Sequence, residues 1–197
     1  MIKHVIARKN DEAIFYNEIA SPDGYRDRND ERTKKQMNTA YKTYPDTAKV
    51  WIYQAAAHLD EDDVNFLKVR IDEFINNWES HGSLLKADFD VLHNLFVVFF
   101  VDEQGDTMCG RAQDASIRLM KELEQELELE FLNRMNLSYL KDGKAQVVNM
   151  NNFAKLIEEG TIDDNTLVFN NTITTKKEFD TAWTLPLKDS WHAQLKK

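Results

Sequence analysis

Three features of the 197-residue chain predict an α+β fold built on antiparallel sheet. Two segments, Val50-Trp51-Ile52-Tyr53-Gln54 and Leu95-Phe96-Val97-Val98-Phe99-Phe100-Val101, are rich in β-branched and aromatic residues and predict strands. Stretches with apolar residues at helical spacing, around residues 64–78 and 117–127, alternate with them. An Asp142-Gly143 pair between apolar runs marks a hairpin, because both residues tolerate positive φ. From Val50 to Val148 the predicted order is β, α, β, β, α, β, β. That order fits a ferredoxin-like split βαβ core with an antiparallel sheet and extra C-terminal α/β elements.

Residues 1–36 read as an N-terminal extension and linker, dispensable for folding and separate from a single α+β domain over 37–197. His4–Arg8 and Ala13–Ile19 have hairpin character, and the polar run SPDGYRDRNDERTKKQ follows. In the first helix Asp60 is placed to cap, with Asp63 at the third helical position. Val64, Leu67, Ile71, Phe74 and Trp78 form its apolar stripe, and Gly82 reads as its stop. Leu95–Val101 is too short for an independent helix and is expected to be a central strand buried on both faces, with Phe89 and Val91 in its partner. A second helix is expected from Asp114 or Ser116, with Ile117, Met120, Leu123 and Leu127 inward and the run of glutamates mostly solvated. Leu137–Leu140 and Ala145–Val148 flank the Asp-Gly turn. A helix over 152–159 stopped by Gly160, a strand over 166–169, and a last helix from the Thr175-Lys176-Lys177-Glu178 capping box through Trp183 complete the reading, with Pro186 ending regular structure.

Composition narrows the function. A net charge of −9 opposes non-specific binding to nucleic acid, which needs a basic face. The charge is uneven: residues 1–36 carry 8 Lys and Arg against 7 Asp and Glu, which leaves −10 for the remainder. One cysteine permits no intramolecular disulfide, and with no secretory leader or membrane-spanning run in the sequence the expected location is cytoplasmic, without membrane insertion. No cofactor and no metal is expected: the chain lacks GxxxxGK[ST], GxGxxG, HExxH, GxSxG and EF-hand patterns.

Candidate site residues are few. Gly110 and Arg111 sit between the buried strand and the second helix, where free N–H groups and a guanidinium form a candidate anion loop or a plain connection. Cys109 is either a small apolar residue or a nucleophile, with His81 or His93 as base. Asp102 follows the central strand, where ligand sites of open sheets lie. Asn170 and Asn171 either make turns or hold a ligand. Trp191 and His192, in a polar tail, either pack back onto the body or bind something.

Five stretches, Val50-Trp51-Ile52-Tyr53-Gln54, Trp78 with His81-Gly82, Asn133-Arg134-Met135, Val168-Phe169-Asn170-Asn171 and Asp189-Ser190-Trp191-His192, carry a resemblance to a family of small uncharacterised bacterial proteins, many labelled "ABC transporter ATPase". The label implies ATP hydrolysis, yet the phosphate-binding lysine loop such enzymes need is absent. That family's pattern has Gly-Cys-Ser-Ile-Asp-Ser-Ser before the second helix. Here Gly110, Asp114 and Ser116 match, and the pattern's cysteine falls on Arg111. Residues 153–169 also resemble the helix, turn and strand of GYF-like peptide-binding modules. The combined expectation is a non-enzymatic binding or accessory protein with a protein or small-molecule partner and a patch of Asp102, Arg134, Asn170, Asn171, Trp191 and His192. The alternative is a small cofactor-independent enzyme whose acid/base residues line a cleft closed by the C-terminal tail.

Overall fold

The central element is a seven-residue strand with almost no polar atoms outside its backbone, and the rest of the first layer assembles to cover it. In a computed structural model that describes residues 40–104 and 108–196, Phe96 to Val101 are all fully buried. Residues 1–36, including the expected hairpin and linker, lie outside the described residues. Those described belong to one compact unit of the chain.

The strands are β1 (Lys49–Gln54), β2 (Glu79–Ser80), β3 (Ser83–Leu84), β4 (Lys86–Leu92), β5 (Phe96–Asp102), β6 (Asn136–Lys141), β7 (Lys144–Asn149), β8 (Leu167–Phe169) and β9 (Thr184–Pro186). The helices are α1 (Glu61–Ile75), α2 (Gly110–Leu127), α3 (Met150–Glu158) and α4 (Lys176–Ala182). The fold is α+β with antiparallel sheets. The first sheet has the order β1-β5-β4, so β5 is inserted antiparallel between β1 and β4, with Trp51 opposite Phe99 and Phe89 opposite Phe99 on its other side. That is one split βαβ unit, β1-α1-β4 with β5 between.

A full ferredoxin-like sheet would place the strand after α2 on the free edge of β1. Instead β6 pairs with β7 and β8, in a second sheet of order β7-β6-β8-β9. The edge of β1 is closed by Thr174–Lys176: the Val50 N–H donates to the Thr174 carbonyl at 2.9 Å and the Lys176 N–H to the Ala48 carbonyl at 2.8 Å. The segment after α2 is held elsewhere. Glu128 takes left-handed φ at the helix end, and the Glu124 carboxylate accepts from the N–H groups of Phe131 (2.6 Å) and Leu132 (2.8 Å), so the chain bends and meets the first sheet just past β1, where the Ala56 N–H donates to the Glu130 carbonyl at 2.8 Å, without pairing along the strand.

Local chemistry explains the element ends. Asp60 and Asp63 form the expected capping box on α1, and Thr175 and Glu178 form another on α4. Asp142 (φ 50°) and Gly143 (φ 74°) make the β6–β7 turn. Several boundaries differ from expectation. The helix α1 stops at Ile75, and Gly82 instead turns the β2–β3 hairpin, with φ of 80°. Trp78 leaves the helix to donate its indole N–H to the Ala112 carbonyl at 2.8 Å. The helix α2 begins at Gly110, and its buried stripe is Ala112, Ser116, Leu119, Met120, Leu123 and Leu127, while Ile117 is 40% exposed. Pro186 does not end regular structure, since 3-10 turns follow at Leu187–Asp189 and Trp191–Leu195.

The two faces of β5 meet different partners. Phe99 packs edge-on against Tyr53, Phe74 and Trp78 on the α1–α2 side. On the other side Phe96 meets Phe169 and Trp183, and Phe100 meets Phe179 and stacks on Tyr41. A second, smaller core lies in the later sheet, formed by Leu137, Tyr139, Phe153, Ile162, Val168 and Leu187.

Candidate functional site

The residues singled out from the sequence do not converge. Asp102 forms an ion pair with Lys86 across the β4–β5 ladder at 2.8 Å, which holds its carboxyl below the usual range. Arg134 is exposed, and its charge reaches Tyr53. Asn170 closes an Asx turn, its Oδ1 accepting from the Thr172 N–H at 3.3 Å and from the Thr172 hydroxyl at 2.6 Å. Asn171 is a clamp: its amide donates to Gln54 Oε1 at 2.8 Å and accepts from the Trp183 indole at 3.1 Å, tying the end of β1 to the segment after β8. Trp183 is buried in the first core and Trp191 packs on the second, so the two do not share a patch.

His192 is a core residue. It is 1% exposed, its Nδ1 lies 2.8 Å from Ser190 Oγ, and its ring packs on Phe153 and stacks on Trp191 with centroids 4.0 Å apart. Burial pushes its pKa down to about 4, so it is neutral at physiological pH. Gly110 and Arg111 are not a loop but the first residues of α2, both exposed; the N–H groups expected there belong to a helix N-terminus. Among the described residues no group of three or more His, Cys, Asp or Glu side chains could hold a metal ion, and no helix is long and apolar enough to cross a membrane.

Cys109 is where chemistry gathers. It is the N-cap of α2, in extended conformation, at the positive end of an 18-residue helix. The β2–β3 hairpin sits beside it because Trp78, one residue before β2, is anchored to Ala112 in the first turn of α2. A two-residue turn, His81 (φ 52°) and Gly82, then brings Ser80 and His81 to the thiol. The Cys109 N–H donates to Ser80 Oγ at 3.0 Å, and Ser80 is 8% exposed, so its hydroxyl is held in one place.

The thiol responds to this setting. Its pKa falls to about 7, first through the Ser80 hydroxyl, then through the Ala112 N–H, with smaller contributions from the His81 N–H and the His81 charge; partial burial opposes them. The sulfur makes no capping hydrogen bond, and the Ala112 N–H that favours the thiolate donates at 3.0 Å to the Cys109 carbonyl. A thiol lowered in this way is ionised at neutral pH to a greater extent than an ordinary one, and the thiolate is the nucleophile. Of the two histidines considered as its base, His81 acts on the thiol through its N–H and, least of all the causes, its charge, whereas His93 lies in the aromatic cluster of Phe96, Phe169 and Trp183. Ser80, the strongest influence, carried no sequence signal: it is an ordinary polar residue 29 positions away. Comparison of the chain with family models, curated proteins and solved structures finds no match.

Proposed function

We propose that the chain is a non-enzymatic binding or accessory protein that presents Cys109 as a readily ionised thiol for covalent or redox exchange with a partner. The observation that carries this reading is the cluster of Ser80, His81 and the α2 N-terminus around one half-exposed sulfur. Of the residues offered for acid–base work, Asp102 is engaged in an ion pair and His192 in a core. In the exchange the Cys109 thiolate attacks one sulfur of a partner disulfide, a new S–S bond forms, and the displaced thiolate leaves with the electron pair.

The test is the rate of Cys109 alkylation by iodoacetamide against pH. A midpoint near 7 is expected, moved upward in Ser80→Ala. A midpoint at the ordinary thiol value of about 8.5 in the wild type refutes the proposal. A second reading, an enzyme with Cys109 as nucleophile and His81 as base, is favoured by the reach of the His81 charge to the sulfur. With p-nitrophenyl acetate, one stoichiometric burst supports the binding reading, and sustained turnover that is lost in Cys109→Ser supports the enzyme.

A further inference from the structure

The two edges of the first sheet are closed in different ways. On β1 the Val50 N–H and the Ala48 carbonyl point away from β5 and bond to Thr174 and Lys176. Backbone direction alternates along an antiparallel strand, so Lys49, Trp51 and Tyr53 bond to their partners Val101, Phe99 and Val97 on β5. The alternate residues of β5, Phe96, Val98 and Phe100, then bond to Leu92, Asp90 and Asp88 of β4. It follows that Ala87, Phe89 and Val91 turn their N–H and carbonyl groups to the outer edge of β4. Among the described residues no strand pairs there, and an edge of this kind is a template for another chain.

Two acids of the same strand occupy that edge. Asp88 Oδ1 accepts the outward N–H of Phe89 at 2.9 Å, and Asp90 Oδ1 accepts that of Val91 at 2.8 Å. Their second oxygens hold the Ala40–Thr43 turn: Asp88 Oδ2 accepts the Tyr41 N–H at 2.8 Å and Asp90 Oδ2 the Tyr41 hydroxyl at 3.4 Å. The Tyr41 ring stacks on Phe100 with centroids 3.9 Å apart, so the turn fixes the acids as the acids fix the turn. All four bonds favour ionised carboxylates, which only accept, and burial works against the charge without removing any of them. Neither acid has an ion-pair partner within 4 Å among the described residues.

We propose that the outer edge of β4 is a pairing surface for a second copy of this chain, and that Asp88 and Asp90 keep it closed. The second copy is the occupant because Ala87-Asp88-Phe89-Asp90-Val91 has the same chemistry in both directions, apolar for apolar and acid for acid about Phe89. Two such strands, antiparallel about a two-fold axis at Phe89, would set Ala87 against Val91 in the hydrogen-bonded pairs. Asp88 would then meet Asp90 in the intervening pairs, where side chains lie closest. The axis repeats that encounter, so two carboxylate pairs face each other, and like charges directly opposite are destabilising. The acids thus act twice, by taking the N–H groups that a partner strand needs and by repelling the same acids of a second copy.

The experiment uses Asp90→Thr in the full chain at neutral pH. This variant frees the Val91 N–H and removes both acid-on-acid encounters, yet leaves Asp88 holding the Tyr41 N–H. In sedimentation velocity over a concentration series it should move to about twice the wild-type mass, as a two-fold dimer has. Over the same series, amide exchange at Ala87, Phe89 and Val91 should slow in the variant and stay constant in the wild type. If circular dichroism shows Asp90→Thr unfolded, Asp90→Asn takes its place: it keeps an acceptor for the Val91 N–H, removes the like-charge encounters and should give the same shift at higher concentration. A folded variant that keeps the wild-type mass overturns the proposal. So does association that leaves the three amides unprotected, or a wild type whose three amides gain protection as its concentration rises.

Discussion

The two sheets solve the problem of burial differently. Around β5 the interior is apolar and largely aromatic, with both faces of one strand filled from opposite sides, and its buried polar side chains, among them Asp88, Gln54 and Ser116, sit on the elements that surround the strand. The β6–β9 sheet buries only six core residues and takes a histidine, a serine and the edge of an indole into the same space. The aromatic core rests mainly on packing, with Asp88 and Asp90 as titratable groups on its flanking strand. The small core depends on keeping His192 neutral, with Nε2 buried and without a partner among the described residues. The small interior places its histidine among far fewer apolar neighbours, and its pH dependence has the opposite sign to that of Asp88 and Asp90.

The largest expected effect tests whether the cores are one unit. Phe99→Ala removes a ring that touches Tyr53, Phe74 and Trp78 and should cost about 3–5 kcal/mol in urea unfolding. Phe153→Ala in the smaller core should lower the same single midpoint by circular dichroism and by tryptophan fluorescence. Two separate transitions would show that the sheets unfold independently.

Next in size is the pH response of the small core. His192 has a folded pKa depressed to about 4 from an unfolded 6.5, so its contribution is present above 6.5 and lost as pH falls through 4. Between pH 7 and 5 it should remove on the order of 2 kcal/mol, and His192→Phe should abolish that slope. Asp88 and Asp90 run the other way, losing stability as pH rises from their ordinary range. A pH titration of stability in His192→Phe should therefore expose the opposite slope of the first sheet.

Smaller still is the joint between the regions. Asn171→Ala breaks two side-chain hydrogen bonds and leaves Gln54 and the Trp183 indole short of partners, at about 1–3 kcal/mol by chemical denaturation. The smallest change is expected for Lys86→Ala, whose ion pair with Asp102 is on the surface: below about 1 kcal/mol, and less in high salt. A larger loss there would assign Asp102 a role beyond the end of β5.

Signals that act within a few residues were readable in advance. The all-apolar run of β5 could only be a doubly covered strand, the Asp60 and Thr175 capping boxes set two helix starts, and Asp142-Gly143 fixed a hairpin register. Even the first split βαβ unit followed from element order. The helix α2 starts at Gly110, four or six residues ahead of the expected Asp114 or Ser116, because neither Cys109 nor Gly110 is a strong helix-starting residue, although the structure uses Cys109 as the N-cap.

What the amino-acid order determined by itself was thus the α+β class, the element sequence and the strand that everything packs against, since periodicity, caps and turn φ are local properties. Tertiary structure alone decided that β6 leaves the first sheet, that Ser80 meets Cys109 across 29 positions, that Asn171 meets Gln54 across 117, and that Asp88 and His192 turn inward. The physical reason is that a polar side chain's environment is set by which distant surfaces close over it. An Asp in an alternating strand or a His in a polar tail looks solvated until the turn or the second core that covers it has been placed.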